Sequence, residues 1–349
     1  MSVAPGGSFD PGIYRLINYD GTRTGPGLAI NSLPAGVTHA LVQTSVPGQV
    51  NLVNFTGVTG SFWDGGGNLF DGIIGGGNGV WRVGGSSPLW TDEIGALNGL
   101  WEDEGFAVFM ATPGTVSVDD AGGVPKVSGM QFAVNGYRLQ GDAVELSAPE
   151  TIIRVGDGTA AGEGMTATID SVLAGAGQLV KADRGTLVLG GANAYAGGTR
   201  IEAGTLQVAD NANLGAGGTA LSFGTGRLHA TASFTLARNV VLDNTATFDI
   251  DVGKTLSIPN PVSGDGRLVK SGAGTLLISG NVTHAGGTLI EEGTLQIGNS
   301  TGSGSLAGDV ENHGVLAFDY DLGTGTHIYA GRITGDGILR VREGAVQLT

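Results

Sequence analysis

The sequence contains no cysteine, which excludes disulfide staples and thiolate metal sites. A chain without cysteine fits a reducing cytosol. It fits export equally well, because a chain that crosses a membrane unfolded is not hindered by premature cross-links. Basic residues are also scarce: 17 Lys and Arg stand against 32 Asp and Glu, for a net charge of −15. No Lys/Arg-rich run occurs, so nucleic-acid binding through counterion release is excluded as an expectation. A sparse acidic surface suits a soluble extracellular protein. No apolar segment reaches the 18 residues or so of a membrane-spanning helix, so no direct membrane insertion is expected. The opening MSVAPGGSFDPGIYRL lacks the basic and apolar regions of a signal peptide. Amphipathic helical periodicity is missing throughout. The five histidines, His39, His229, His284, His313 and His327, are dispersed and form no ligand pair, so no metal or cofactor is expected.

Glycine is abundant instead. It supplies 66 of 349 residues, about 19% against an average near 7%. The glycines do not recur every third residue, which excludes collagen. Hydrophobic residues make up 40%, which excludes a disordered Gly-rich linker. The apolar residues fall in runs of two to five, bounded by Gly, Asn, Asp or Thr. That pattern predicts many short strands joined by tight turns, an all-β chain.

The strongest internal signal is a repeat. Residues 175–208 and 264–297 align without a gap, 89 positions apart, and 19 of the 34 positions are identical. The first copy presents Gly175, Gly177, Leu179 and Lys181, then Gly185, Thr186 and Leu187. It continues with Gly197, Gly198, Thr199 and Ile201, and closes on Gly204, Thr205 and Leu206. The second presents Gly264, Gly266, Leu268 and Lys270, then Gly274, Thr275 and Leu276. Gly286, Gly287, Thr288 and Ile290 follow, then Gly293, Thr294 and Leu295. Apolar residues stand two apart, as at Leu187/Leu189 and Leu206/Val208, the period of a strand with one face inward. Leu187 to Leu206 and Leu276 to Leu295 each span 19 residues. A coil of that length returning to the same face predicts a β-solenoid, whose repeated residues serve packing and turning.

Three regions are expected. Residues 1–58 form a short β segment, read as possible earlier coils of the solenoid. Residues 59–113 form a Gly/Trp-rich irregular region or insertion that holds all four tryptophans. Trp63, Trp81, Trp90 and Trp101 have two readings there: an aromatic binding surface, or rigid plugs covering a hydrophobic edge. Residues 114–349 form the regular solenoid, with a truncated third repeat at 335–349. Because the chain stops inside that pattern, a fragment of a longer protein is expected.

The repeat, with its Leu189, Asn193 and Tyr195, resembles the autotransporter-associated β-strand repeat. The second copy departs at Val282 and His284, which are read as exposed variants. The segment 153–177 and the Trp-Asp-Gly at 63–65 also resemble stretches that accompany this repeat. The resemblance implies a type V secretion passenger, usually a right-handed parallel β-helix followed by a C-terminal translocator β-barrel. No such barrel is seen in this chain. The implied role is a structural stalk that assists export of a surface-displayed passenger, an adhesin with a host-surface or matrix ligand, held at the outer membrane of a bacterium. Two rival readings stand beside it. One is a glycan- or ligand-binding module centred on the tryptophans. The other is a polysaccharide-active β-helix enzyme using acidic pairs such as Asp119-Asp120, Glu291-Glu292 or Asp319/Asp321.

Other motifs carry less. Gly298-Asn299-Ser300-Thr301-Gly302 matches a nucleophile elbow, but it lies in a Gly/Ser turn without the strand–turn–helix setting. Asp-Gly-Gly-Gly-Asn at 64–68 is similar to Ca²⁺-binding turns but lacks their tandem period. The expectation is a protein with no catalytic residues.

Overall fold

The computed structural model describes residues 9–24, 27–300, 304–323 and 325–349. The chain divides into two compact units, Met1–Leu187 and Val188–Thr349. Both are stacks of short parallel strands, a β-solenoid. Three short 3-10 turns, Asp120–Gly122, Ala160–Gly164 and Asn211–Leu214, are the only helical segments among the described residues.

The second unit shows the solenoid most plainly. One sheet runs Thr199–Ile201, Leu221–Phe223, Val240–Leu242 and Val262–Gly264. A second includes Thr205–Val208, Arg227–Ala230, Ala246–Ile250, Leu268–Ser271, Thr288–Ile290 and Val310–Asn312. A third includes Thr255–Ile258, Thr275–Ile278, Thr294–Ile297, Val315–Asp319 and Ile338–Glu343. Every pairing among these strands is parallel, and only that of Val315–Asp319 with Ile338–Glu343 shifts register, between Phe318 and Asp319. Leu256, Leu276, Leu295 and Leu316 therefore stand one above another, as do Ile258, Ile278, Ile297 and Phe318. All eight are buried. The expected 19-residue return from Leu276 to Leu295 is thus a direct strand pairing. Thr275 and Thr294 precede those leucines on the outward phase, where a β-branched residue favours the strand without needing a place in the core. The segment expected as a truncated repeat supplies Ile338–Glu343, paired to Val315–Asp319, and Ala345–Leu348, paired to Thr326–Tyr329.

The first unit is built differently at its start. Gly12–Asn18 and Ala40–Gln43 flank Gln49–Asn54 in an antiparallel three-stranded sheet. The reading of residues 1–58 as earlier coils is corrected here, because coils pair in parallel and these strands do not. Residues 1–8 of that region lie outside the described residues. The sheet covers the strands that follow. Ile13, Val46, Val53 and Phe55 share one apolar cluster with Phe62, Phe106, Val108 and Met110. Gln131 fastens the sheet from beneath: its Oε1 accepts the Ile13 N–H at 2.6 Å and its Nε2 donates to the Ile13 carbonyl at 2.9 Å. A side-chain amide here imitates the backbone of a neighbouring strand. Arg154 donates to the Pro11 carbonyl, pairs with Asp183 at 3.1 Å and lies 4.3 Å from the Tyr14 ring centre.

Within residues 59–113, three strands join the parallel sheets and the chain between them is irregular. Gly60–Trp63 pairs in parallel with Gly105–Phe109, and Gly79–Arg82 with Thr115–Asp119. Only the short strands Trp90–Thr91 and Asn98–Gly99 run antiparallel. The glycine clusters at 65–67 and 75–77 are pressed against one another, with the Gly66 N–H bonded to the Gly76 carbonyl. A Cβ on Gly76 would run into the Met110 and Thr112 carbonyls, so these glycines mark a close backbone approach rather than a loose loop.

Candidate functional site

The repeat residues form the corners and inner wall of the coils. In the second copy Gly264 has φ +112, and a Cβ on it would clash with the Leu242 carbonyl. Leu268, Leu276, Ile290 and Leu295 are fully buried. The repeat lysine is buried with them. Lys270 Nζ donates to the carbonyls of Ser271 at 2.7 Å, Gly272 at 2.6 Å and Glu292 at 3.2 Å. Lys181 Nζ donates to Ala182 at 2.8 Å and Asp183 at 2.9 Å. Gly272 and its counterpart Asp183 both turn the chain with left-handed φ, +71° and +65°. The lysine ties down the carbonyls that this corner leaves without a strand partner. Burial pushes the Lys181 ammonium down to about 7 and Lys270 to about 8, against the pull of Asp183 on the first and of Asp249 and Glu292 on the second. The period of two carried the signal for this role. Each lysine stands two residues after an inward leucine, Leu179 or Leu268.

The expected exposure of Val282 and His284 is corrected: both are buried. In the first copy the Tyr195 hydroxyl meets Thr199 Oγ1 at 2.7 Å, and Thr199 donates to the Leu214 carbonyl at 3.0 Å. In the second, His284 Nε2 faces Thr288 Oγ1 at 3.4 Å while Nδ1 faces the Gly266 carbonyl at 3.2 Å. His284 thus replaces the tyrosine in the same inward pair. It fits there as a neutral ring, with Nδ1 donating to the carbonyl. Desolvation lowers its pKa below the usual 6.5, partly opposed by the Gly266 carbonyl. The unfolded chain therefore takes up a proton more readily than the folded one. The stability that His284 contributes is present above pH 6.5 and is lost as the pH falls through the folded pKa. Thermal melts between pH 7 and pH 5 are expected to fall more steeply for the native chain than for His284→Gln, which cannot titrate. Parallel curves for the two would remove His284 as the cause.

The four tryptophans make one buried cluster in the first unit. Trp63 and Trp81 have no exposure, and Trp90 and Trp101 have 3% and 4%. Trp81 and Trp90 stand 5.0 Å apart, Trp81 and Trp101 4.9 Å, and Trp90 and Trp101 4.6 Å, centre to centre. Phe109 packs against Trp63, Trp81 and Trp90, and stacks on Phe132 at 4.9 Å. Trp63 Nε1 donates to the Gly77 carbonyl at 2.8 Å. The indole N–H groups of Trp81, Trp90 and Trp101 are buried without a hydrogen-bond partner among the described residues. The aromatic binding surface at Trp63, Trp81, Trp90 and Trp101 is therefore not formed. These rings are too large to leave wet when a coil interior can enclose them.

The remaining motifs hold structural bonds. Asp64 is buried, and its carboxylate accepts the Gly75 N–H at 2.7 Å and Asn98 Nδ2 at 2.8 Å. Among the described residues no group of three His, Cys, Asp or Glu is placed to hold a metal. Thr301 and Gly302 of the elbow-like motif lie outside the described residues. Ser300 donates to Asp319 at 2.7 Å, and Asp319 also accepts from Gln296 at 3.0 Å. Asp119 pairs with Arg82 and accepts the Ala121 N–H. One anchor escaped the sequence reading altogether. Arg238 is fully buried and donates to Asn211, Leu214, Thr219 and Gly215. Nothing in its neighbourhood of the sequence distinguishes it from a solvated arginine.

The passenger-associated-transport-repeat family matches residues 179–208 and 268–297, the strand-forming part of both copies. Over 340 residues, 97% of the chain, the sequence is 47% identical to the Adhesin BmaC autotransporter of Brucella suis biovar 1 (strain 1330). The chain carries two passenger-associated transport repeats. It spans about a tenth of that relative's length. A shorter match, 37% over 92 residues, links this segment to the Extracellular serine protease of Serratia marcescens. It covers 25% of the segment and 8% of the protease. No solved structure matches the chain.

Proposed function

We propose that this passenger segment is a non-catalytic stalk that assists export and supports adhesion at the bacterial surface. In this reading the full-length protein carries a C-terminal translocator β-barrel that holds the passenger at the outer membrane. The observation that supports it most is the register of the coils. Leu256, Leu276, Leu295 and Leu316 stack so that each new coil finds its partner already in place. A one-dimensional stack of this kind gains stability coil by coil. Folding outside the cell would then draw the following chain outward and oppose its return. The similarity to a relative named as an adhesin supports the adhesive role, and the used carboxylates of Asp119 and Asp319 support a protein without an active site.

The test is an in-frame deletion of residues 114–349 in the full-length protein, followed by protease shaving of intact cells and a cell-attachment assay. Loss of surface-exposed passenger and of attachment is the expected result. Normal display with normal attachment would overturn the proposal.

A further inference from the structure

One apolar surface in the first unit is left uncovered while the tryptophans nearby in sequence are buried. Phe70 is 60% exposed, Leu97 71% and Ile94 55%, and Ile73 and Leu100 are also open to solvent. These residues sit on two loops fastened to each other. The Phe70 N–H donates to Asn98 Oδ1 at 2.6 Å, and the Gly72 N–H to the Gly95 carbonyl at 3.1 Å. Phe70 has φ +63, the left-handed region that a bulky side chain seldom adopts. The second loop is fixed by Asp92, whose Oδ1 accepts the Ala96 N–H at 2.8 Å. The chain thus spends backbone strain to hold an aromatic ring in water, a pattern found at ligand clamps. Exposed apolar groups clustered on a rigid frame mark interaction surfaces.

The charge around this surface is mostly acidic, with His39 already paired to Glu93 and Lys126 to Glu145. Asp71, Glu102, Asp103 and Glu104 are exposed, and Asp92 and Glu93 are half-buried. From residue 59 to 113 the sole basic residue is Arg82, which is already paired with Asp119. Two positions beyond Leu100 the chain enters a notch of about 430 Å³. Glu102, Asp103, Glu104, Thr59, Ser128 and Ser147 line it. The Ser128 hydroxyl is buried there with no partner.

We infer that the Phe70–Leu97 surface and its acidic notch form a docking site for a protein segment that carries Lys or Arg beside apolar side chains. Apolar residues of that segment would cover Phe70, Ile94 and Leu97, and a cationic head would enter the notch among the three carboxylates. An anionic lipid surface is disfavoured by the same carboxylates. The inference deepens the adhesive reading and rests on it, because the site needs to be displayed to meet a partner.

The test uses the purified chain and a fluorescent peptide of alternating Arg and Leu, with a Glu/Leu peptide and phosphatidylserine-containing vesicles as comparisons. Binding of the Arg/Leu peptide alone is expected, weakened about tenfold or more by the double change Phe70→Ser, Leu97→Ser. Glu102→Gln with Glu104→Gln is expected to weaken it as well and to flatten its salt dependence. Circular dichroism of each variant checks that the fold is kept. Equal binding of both peptides, binding unchanged by Phe70→Ser, Leu97→Ser, or binding to the vesicles in place of the peptide would each overturn the site. Those failures would leave the display experiment standing, since it does not depend on this surface.

Discussion

Leu276→Asp is expected to unfold the second unit and to abolish surface display. Leu276 is fully buried between Leu256 and Leu295. Removing a buried leucine costs about 2–5 kcal/mol. An unpaired carboxylate left in the coil interior adds several more. Set against a total stability of about 5–15 kcal/mol for a typical domain, that sum is enough to abolish folding. Circular dichroism should show loss of the β melt, and protease shaving should find no passenger on the cells. All four tryptophans lie in the first unit, so their emission separates loss of the second unit from loss of both. A variant that melts and displays like the native chain would refute the inward ladder as the source of stability.

Trp90→Ala is expected to have the next largest effect. Trp90 meets Trp63, Trp81, Trp101 and Phe109, so its removal leaves a hole in the middle of the cluster. Such a truncation costs about 3–5 kcal/mol, or about 6–20 °C in melting temperature for a unit of this size. In the native chain all four indoles should resist acrylamide and emit at short wavelength. In the variant the remaining three should become more accessible. Quenching of the native chain at the rate of free indole would contradict the burial of the cluster.

The class of fold was legible in the sequence because the solenoid depends on local regularities. Alternation at Leu276/Ile278, glycine at the corners and a 19-residue return are all visible without coordinates. The site was less legible, for a physical reason. Whether a large side chain is inside or outside depends on what covers it, and the cover can be distant in sequence. The tryptophans are enclosed by a coil closed through Gly105–Phe109 and Lys126–Phe132. Ile13 is held by Gln131, 118 residues away. His284 was misread because a polar residue in a turn is usually solvated, whereas here it inherits the buried position of Tyr195. The antiparallel start escaped because period-two alternation is the same in parallel and antiparallel strands.

The register of the coils also makes length a separable property of the molecule. Thr275 and Thr294 pair directly, as do Ile278 and Ile297. Removing the residues from one threonine up to the next would join positions that already share a column. The shortened chain would bring Thr294–Ile297 beside Thr255–Ile258, Leu295 against Leu256, without a change of phase. A lineage can therefore lengthen or shorten such a stack by whole coils while each coil keeps its neighbours' chemistry. The length of the stack can change without any new core having to evolve.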